Sequence, residues 1–387
     1  MKPRYSTVLL ALLGGLLATP ATGQSAFSAR GLGYPLEPID ARARSLGGVA
    51  LGFPEPEITW ANPASVVGLL DPGMIIGYQY DNFSTEATGG ALDGSTARFP
   101  LVLAAFPAGP RLVLMGGYGS FLDQNWRIER PDSLTLGNDR VPITDLASSE
   151  GGVARLRVGA AYRVLDNLGV GLAVDAYTGD VQRVQGRLFE SQTTPSCCRT
   201  DWSYGGIGLS AGVRYAPMEA LSVGASISHG GTLEGEVTAG EGSAVSYDLP
   251  LVFRGGATGR IGQATLLALG GSWSGWSSLD DTFVEAGGAR DAWSFGGGIE
   301  YEGLTLGERP VPLRLGARTG ALPFRWDNDE ATEFASEQVV TLGGGVVLAG
   351  GATRSDVALE FGSRGAESAG LDESFWRFAF SVRVLGR

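Results

Sequence analysis

The sequence predicts an all-β chain, a transmembrane antiparallel β-barrel of about 14 strands. Three observations predict it. A leader for export opens the chain, apolar residues downstream recur with a period of two, and the connections between those runs alternate short and long.

Composition narrows the class first. Of 387 residues, 18 % are charged and 61 are Gly. Glycine at this level without a strict triplet excludes collagen, and 43 % apolar residues argue against a disordered chain. Glycine is tolerated where a wall curves or a lumen is crowded. A net charge of −12 disfavours non-specific nucleic-acid binding, which needs a basic face.

Residues 1–23 read as a secretory signal peptide. Lys2 and Arg4 precede an apolar run from Val8 to Ala18, and Ala21-Thr22-Gly23 supplies small residues for cleavage. A membrane anchor helix is the alternative, but the run is too short and Pro20 closes it. No Cys follows the cleavage position, which argues against a lipid anchor. No later run of about 18 apolar residues offers a spanning helix. The mature protein is therefore either soluble outside the cytoplasm or a membrane barrel.

Residues 24–72 lack alternation. Arg42, Arg44 and Glu55 break it, and Pro54, Pro56 and Pro63 interrupt it. Asp40 is placed to cap a short helix, and Asn62-Pro63 to start another. Such irregular backbone is acceptable inside a barrel, surrounded by protein or water.

From residue 73 to 387 the strand period dominates. Between Val153 and Val164, Ala154, Leu156, Val158, Ala160, Tyr162 and Val164 lie on one face, opposite Arg155, Arg157 and Arg163. After the turn at Asp166-Asn167, Leu168, Val170, Leu172 and Val174 oppose Asp175. Leu313, Leu315 and Ala317 oppose Arg314 and Arg318, and the last run sets Trp376, Phe378 and Phe380 against Arg377, Ser381 and Arg383. Strand cores begin near Met74, Ala97, Leu112, Val153, Leu168, Tyr204, Leu221, Leu249, Ala264, Ala292, Val311, Gln338, Ala352 and Phe375. Short connections at Pro107–Pro110, Leu165–Asn167, Pro217–Glu219, Ile261–Gln263 and Gly350–Gly351 alternate with longer ones such as Asp123–Gly151, Thr178–Asp201 and Gly230–Asp248. Membrane barrels sort their loops in this way, with short turns and both termini on the periplasmic side.

Two stretches carry a family resemblance. Arg44-Ser45-Leu46-Gly47-Gly48-Val49-Ala50 with Trp60-Ala61-Asn62-Pro63-Ala64, and Val311–Arg318 with Leu322-Pro323-Phe324, resemble FadL-like and PorV-like outer-membrane proteins of the FadL/TodX type. The resemblance implies a 14-stranded barrel plugged by an N-terminal hatch, with Gly47, Gly48, Asn62, Pro63 and Ala64 as its motif. It implies passage of small hydrophobic compounds such as fatty acids, or, for PorV-like members, assistance in protein secretion or surface attachment. The sequence departs from the pattern at Ser65, where Gly is common, and at the prolines of Gly52–Ile58.

Other chemistry is thin. The single His, His229, ends a strand without metal or triad partners. Adjacent Cys197 and Cys198 leave a disulfide, pairing between chains and free thiols all open. The dinucleotide-like string Gly206–Ala211 alternates as a strand, and Gly abundance explains it. Loop acids at Glu234, Glu236, Glu241, Asp280, Asp281 and Glu285 read as solvated charge rather than a calcium site. No metal, cofactor or catalytic residue is expected.

Arg155, Arg157, Arg314, Arg318, Arg377 and Arg383 would face the lumen. They either attract an anionic head group or pair with lumen acids and hatch backbone. The expected function is an outer-membrane channel for a small hydrophobic solute, gated by the hatch, with Phe83 or Trp126 contributing to a groove among the outer loops. The alternative is a PorV-like binding or assembly partner for a secreted protein. Outer-membrane lipid and lipopolysaccharide are the expected surroundings. An outer-membrane enzyme is the third class, disfavoured by the near absence of His.

Overall fold

A computed structural model describes residues 25–87, 90–136, 139–189, 198–286, 288–327 and 332–386. The expected leader at 1–23 and Cys197 lie outside the described residues.

Fourteen strands form one antiparallel ring. They are β1 Gly73–Ala87, β2 Gly90–Pro107, β3 Leu112–Asp123, β4 Asp139–Leu165, β5 Leu168–Phe189, β6 Arg199–Met218 and β7 Leu221–His229. The second half comprises β8 Leu251–Ile261, β9 Thr265–Ser274, β10 Ala292–Tyr301, β11 Leu313–Asp327, β12 Thr332–Leu348, β13 Thr353–Ala366 and β14 Leu371–Leu385. Each pairs with its neighbours in sequence. β14 then pairs back onto β1, from Gly73 opposite Leu385 to Glu86 opposite Asp372. Closure leaves the ring without an unpaired edge, the condition for a sheet in hydrocarbon.

The faces sort as the period requires. Val158, Leu172 and Leu315 are 73 %, 68 % and 60 % exposed, whereas Arg157, Ala173 and Arg314, one residue away on the same strands, are buried. The outer surface is therefore an apolar belt and the inner surface is polar, the reverse of a water-soluble barrel. Among the described residues no helix is long and apolar enough to cross a membrane.

The expected boundaries differ on one side. Asp123–Gly151 is not an open loop: a strand at Trp126–Leu136 pairs with the first part of β4, from Trp126 opposite Ser149 to Leu136 opposite Asp139. Most of Thr178–Asp201 likewise belongs to β5 and β6, and Gly230–Asp248 contains a paired hairpin, Thr232–Ala239 with Val245–Asp248. Above the belt no face meets hydrocarbon, and the buried residues of β4, Ile143, Leu146 and Ser149, are spaced by three, so the alternation fades while the backbone ladder continues. Phe83, expected in a groove among the outer loops, lies four residues from the far end of β1, buried against Val339 and Phe375.

Residues 25–69 lie within the ring, and 70–72 emerge from it. A five-residue helix, α1 (Ala41–Ser45), touches β11 to β14, and a turn at Pro63–Val66 touches β4, β5 and β6. Between them, the Thr258 hydroxyl of β8 donates to the Gly52 carbonyl at 2.5 Å.

Candidate functional site

The interior site is assembled from two local signals in the N-terminal segment. Asp40 caps α1, its carboxylate accepting from the Ala43 N–H at 2.7 Å. This cap orients two arginines. Two residues apart on a helix, Arg42 and Arg44 diverge. Arg42 reaches Glu300 on β10 and Glu57, while Arg44 reaches Glu360 on β13, Gln79 on β1 and the Glu37 carbonyl. Burial, reinforced by the Glu57 carboxylate, pushes Asp40 up to about 6. Burial works to raise Glu57 as well, but Arg383 and Arg42 outweigh it and hold Glu57 below the usual range.

Gly47 and Gly48 end the helix with φ of +70° and +82°, a region that L side chains rarely adopt. Gly47 also touches the wall: a Cβ there would collide with the Ala317 carbonyl oxygen. Its N–H donates to the Thr341 hydroxyl at 3.3 Å.

Asn62 is fully buried and does two jobs. Its Oδ1 accepts from the Ala64 N–H at 2.8 Å, and its Nδ2 donates to the Val213 carbonyl of β6 at 2.9 Å. Pro63 opens the turn, where a missing N–H costs nothing. The turn presses on Gly171 and Gly212; a Cβ on Gly212 would strike the Asn62 side chain. Just before it, Trp60 lies under Arg157, whose Nη1 donates to the Trp60 carbonyl at 2.5 Å.

The lumen arginines differ in what they meet. Arg157 forms a two-pronged pair with Asp175, both contacts 2.7 Å. Arg314 pairs with Glu300 and lies 2.8 Å from Asp356. Arg318 bridges Glu337 and Glu360 at 3.0 and 2.7 Å. Arg377 pairs with Asp81 and, at 2.8 Å, with Glu360; Arg383 meets Glu57 at 3.0 Å. Arg155 has no carboxylate within ion-pair distance among the described residues. Buried charge is tolerated when it is paired and hydrogen-bonded, so these acids hold the arginines and the N-terminal segment in one neutral lattice. Glu300, Glu337, Glu360 and Asp81 escaped the reading of the sequence. Their signal was present: Glu300 falls between Ile299 and Tyr301, on the inward phase of its strand.

Above the lattice, toward the long-connection end, apolar side chains fill the mouth. Leu32 of the N-terminal segment packs there with Tyr177, Tyr204, Leu249, Trp276 and Phe324, flanked by Phe121 and Trp202. A cavity of about 140 Å³ beside Arg318 and Trp276 adjoins this cluster. Trp126 opens the outer hairpin. His229 is exposed, its Nδ1 accepting from the Gly231 N–H at 3.4 Å. Cys198 is disulfide-bonded. Among the described residues no three His, Cys, Asp or Glu side chains gather as a metal site.

Comparison places this architecture among known barrels. The CymD monoaromatic hydrocarbon channel superposes with a TM-score of 0.59 at 17 % identity, covering 90 % of this chain and 98 % of its own. The P. putida toluene transporter TodX gives 0.57 at 14 % identity over 90 % and 98 % of the two chains. A Pseudomonas aeruginosa FadL homologue gives 0.56 at 11 % identity over 95 % and 98 %. At such identities the likeness is one of fold. No curated protein matches the chain. The BamG family profile matches residues 1–245, more than half of the sequence. That match runs through the buried N-terminal segment and the first seven wall strands alike, and the chain belongs to the BamG family.

Proposed function

We propose that the protein is an outer-membrane channel for small hydrophobic compounds, exported by a cleaved leader and gated by residues 24–72 acting as a hatch. The observation that carries this reading is the apolar mouth. A water-filled pore has a polar interior throughout. Here Phe121, Tyr177, Trp202, Tyr204 and Trp276 instead offer a water-poor, aromatic surface that reaches down to the N-terminal segment. Fold likeness to hydrocarbon channels is consistent with it.

A solute would leave water at this mouth and wait on the hatch. The hatch is fastened by Arg42, Arg44 and Glu57 to wall carboxylates and Arg383, so opening means exchanging several of these contacts together. No residue needs to react.

Proteoliposomes test the proposal. Uptake of toluene and of a medium-chain fatty acid should exceed that of protein-free vesicles. Equal uptake with and without protein, across several hydrophobic solutes, would overturn it.

One observation favours a second reading, a PorV-like partner in secretion or surface attachment. β4, β5 and β6 continue beyond the apolar belt and, with the strand at Trp126–Leu136, raise a folded sheet above the membrane. Retention of a large exported protein on that sheet, without any change in small-solute flux, would favour this alternative.

A further inference from the structure

The cavity of about 140 Å³ lies between residues 34–39 of the N-terminal segment and the inner faces of β9, β10 and β11. A protein cavity of about 150 Å³ is large enough to take up benzene. The polarity of this one changes along the strands. Trp276, Leu322 and Pro323 line its mouth end, with Ala292 opposite Ser274 in the ladder. Two residues further down, Ser272 and Ser294 lie opposite each other. Both, with Glu37 and Arg318, also line the adjoining cavity of about 40 Å³, which reaches Gly47 and Gly48. There the N-terminal segment closes the way, because a Cβ on Gly296 would strike the Gly47 carbonyl oxygen.

The arginines of the lining are already matched. Arg44 and Arg377 are held by Glu360, Arg377 also by Asp81, and Arg318 by Glu337 and Glu360. Glu37 differs. Its backbone carbonyl accepts from Arg44 and Ile39, but its carboxylate, exposed to the lumen, has no partner among the described residues. The hydroxyls of Ser272 and Ser294 are unengaged in the same way, and Nε of buried Arg44 also lacks a hydrogen-bond partner. Arg254 shares the adjoining cavity with Glu37 and supplies a positive charge on that side. A charged guest would upset this matched set of charges. A neutral hydroxyl donates to a carboxylate and accepts from a serine or a guanidinium at once. A plain hydrocarbon would strip water from these groups and leave them unpaired.

We propose that this cavity binds a neutral aromatic compound of phenol size that bears a hydroxyl, with its ring beside Trp276 and Leu322 and its hydroxyl at Glu37, Ser272 and Ser294. This inference rests on the reading of the lumen as a solute path, and names the solute that the path retains above the N-terminal segment.

Binding of phenol, toluene and benzoate to the full-length barrel in detergent, followed by calorimetry and tryptophan fluorescence, tests it. Phenol should bind at least about tenfold more tightly than toluene or benzoate, the scale of one hydrogen bond to a charged group. Glu37→Gln should weaken phenol about tenfold and leave toluene unchanged. If Glu37→Gln fails to fold, Ser272→Ala carries the test, with a loss of about threefold for phenol alone, the scale of a neutral hydrogen bond. Glu234→Gln, on the exposed outer hairpin, should leave all three affinities unchanged. Phenol binding no tighter than toluene, benzoate binding as tightly as phenol, or unchanged phenol affinity in the folded variants would overturn the site. Toluene flux in proteoliposomes without preferential phenol binding would sink this inference alone. Phenol binding without flux of any solute would sink the channel reading alone.

Discussion

Arg42 of the N-terminal segment and Glu300 of β10 meet through two hydrogen bonds, 3.2 and 2.5 Å long, with both side chains almost wholly enclosed. Glu300 also holds Arg314 and, at 3.0 Å, Arg354. Glu300→Gln keeps the shape and removes the charge that three arginines share. Removing one partner of a buried pair costs about 3–5 kcal/mol. The variant should lose the heat-resistant folded form at a markedly lower temperature, and protease should reach residues 37–57. An unchanged unfolding temperature would show that Glu300 does not hold the segment.

Asn62→Ala removes both the cap of the Pro63–Val66 turn and the donor to Val213. The expected cost is about 1–3 kcal/mol, from the lost cap and the orphaned acceptor together. Hydrogen exchange at residues 64–69 should quicken while that of β5 stays slow. Asn62→Asp keeps the cap acceptor but loses the donor, and should recover only part of the protection.

Gly47→Ala forces a side chain into a left-handed backbone and against the Ala317 carbonyl. Strain at such a position costs about 1–3 kcal/mol. If residues 24–72 act as a hatch, the segment should sit less firmly, and proteoliposomes carrying the variant should leak toluene faster than wild type. Slower or equal flux would argue against gating at this contact.

Asp40 gives a pH dependence of defined sign. Its folded pKa of about 6 lies above the ordinary carboxylate value of 3.8. The folded chain therefore binds this proton more tightly than the unfolded chain, and stability declines as pH rises from about 4 to about 6, then levels off. Asp40→Asn keeps a capping oxygen without the charge. In denaturant titrations the variant should be about 1–2 kcal/mol more stable than wild type at pH 7, given the partial exposure of the site. The difference should shrink toward pH 4. A difference independent of pH would refute the assignment.

Val158→Arg tests which face meets hydrocarbon. An arginine on the lipid face near mid-membrane costs about 2–4 kcal/mol. Folding yield into lipid vesicles should drop sharply, whereas Ser148→Arg, on the part of β4 above the belt, should fold normally. Equal yields would contradict the outward placement of Val158.

The wall was legible because its signal is local and repeated: Leu156, Val158 and Tyr162 point out wherever Arg155, Arg157 and Ala161 point in. The caps at Asp40 and Asn62 were legible for the same reason, since each involves a backbone N–H two or three residues away. What the arginines meet was not legible. Arg44 and Glu360 are 316 residues apart, and only the curvature and stagger of the ring bring them together. The upper reaches of β4 were hidden because their buried residues, Ile143, Leu146 and Ser149, do not recur with a period of two.

The seam where Gly73 lies beside Leu385 joins the first and last strands of the cylinder, so enclosure must wait for the whole polypeptide. Pro72 sits at that same junction, its carbonyl accepting from the Gly386 N–H at 2.6 Å. The buried N-terminal segment leads straight into this seam, so the cask and its contents share one fastening.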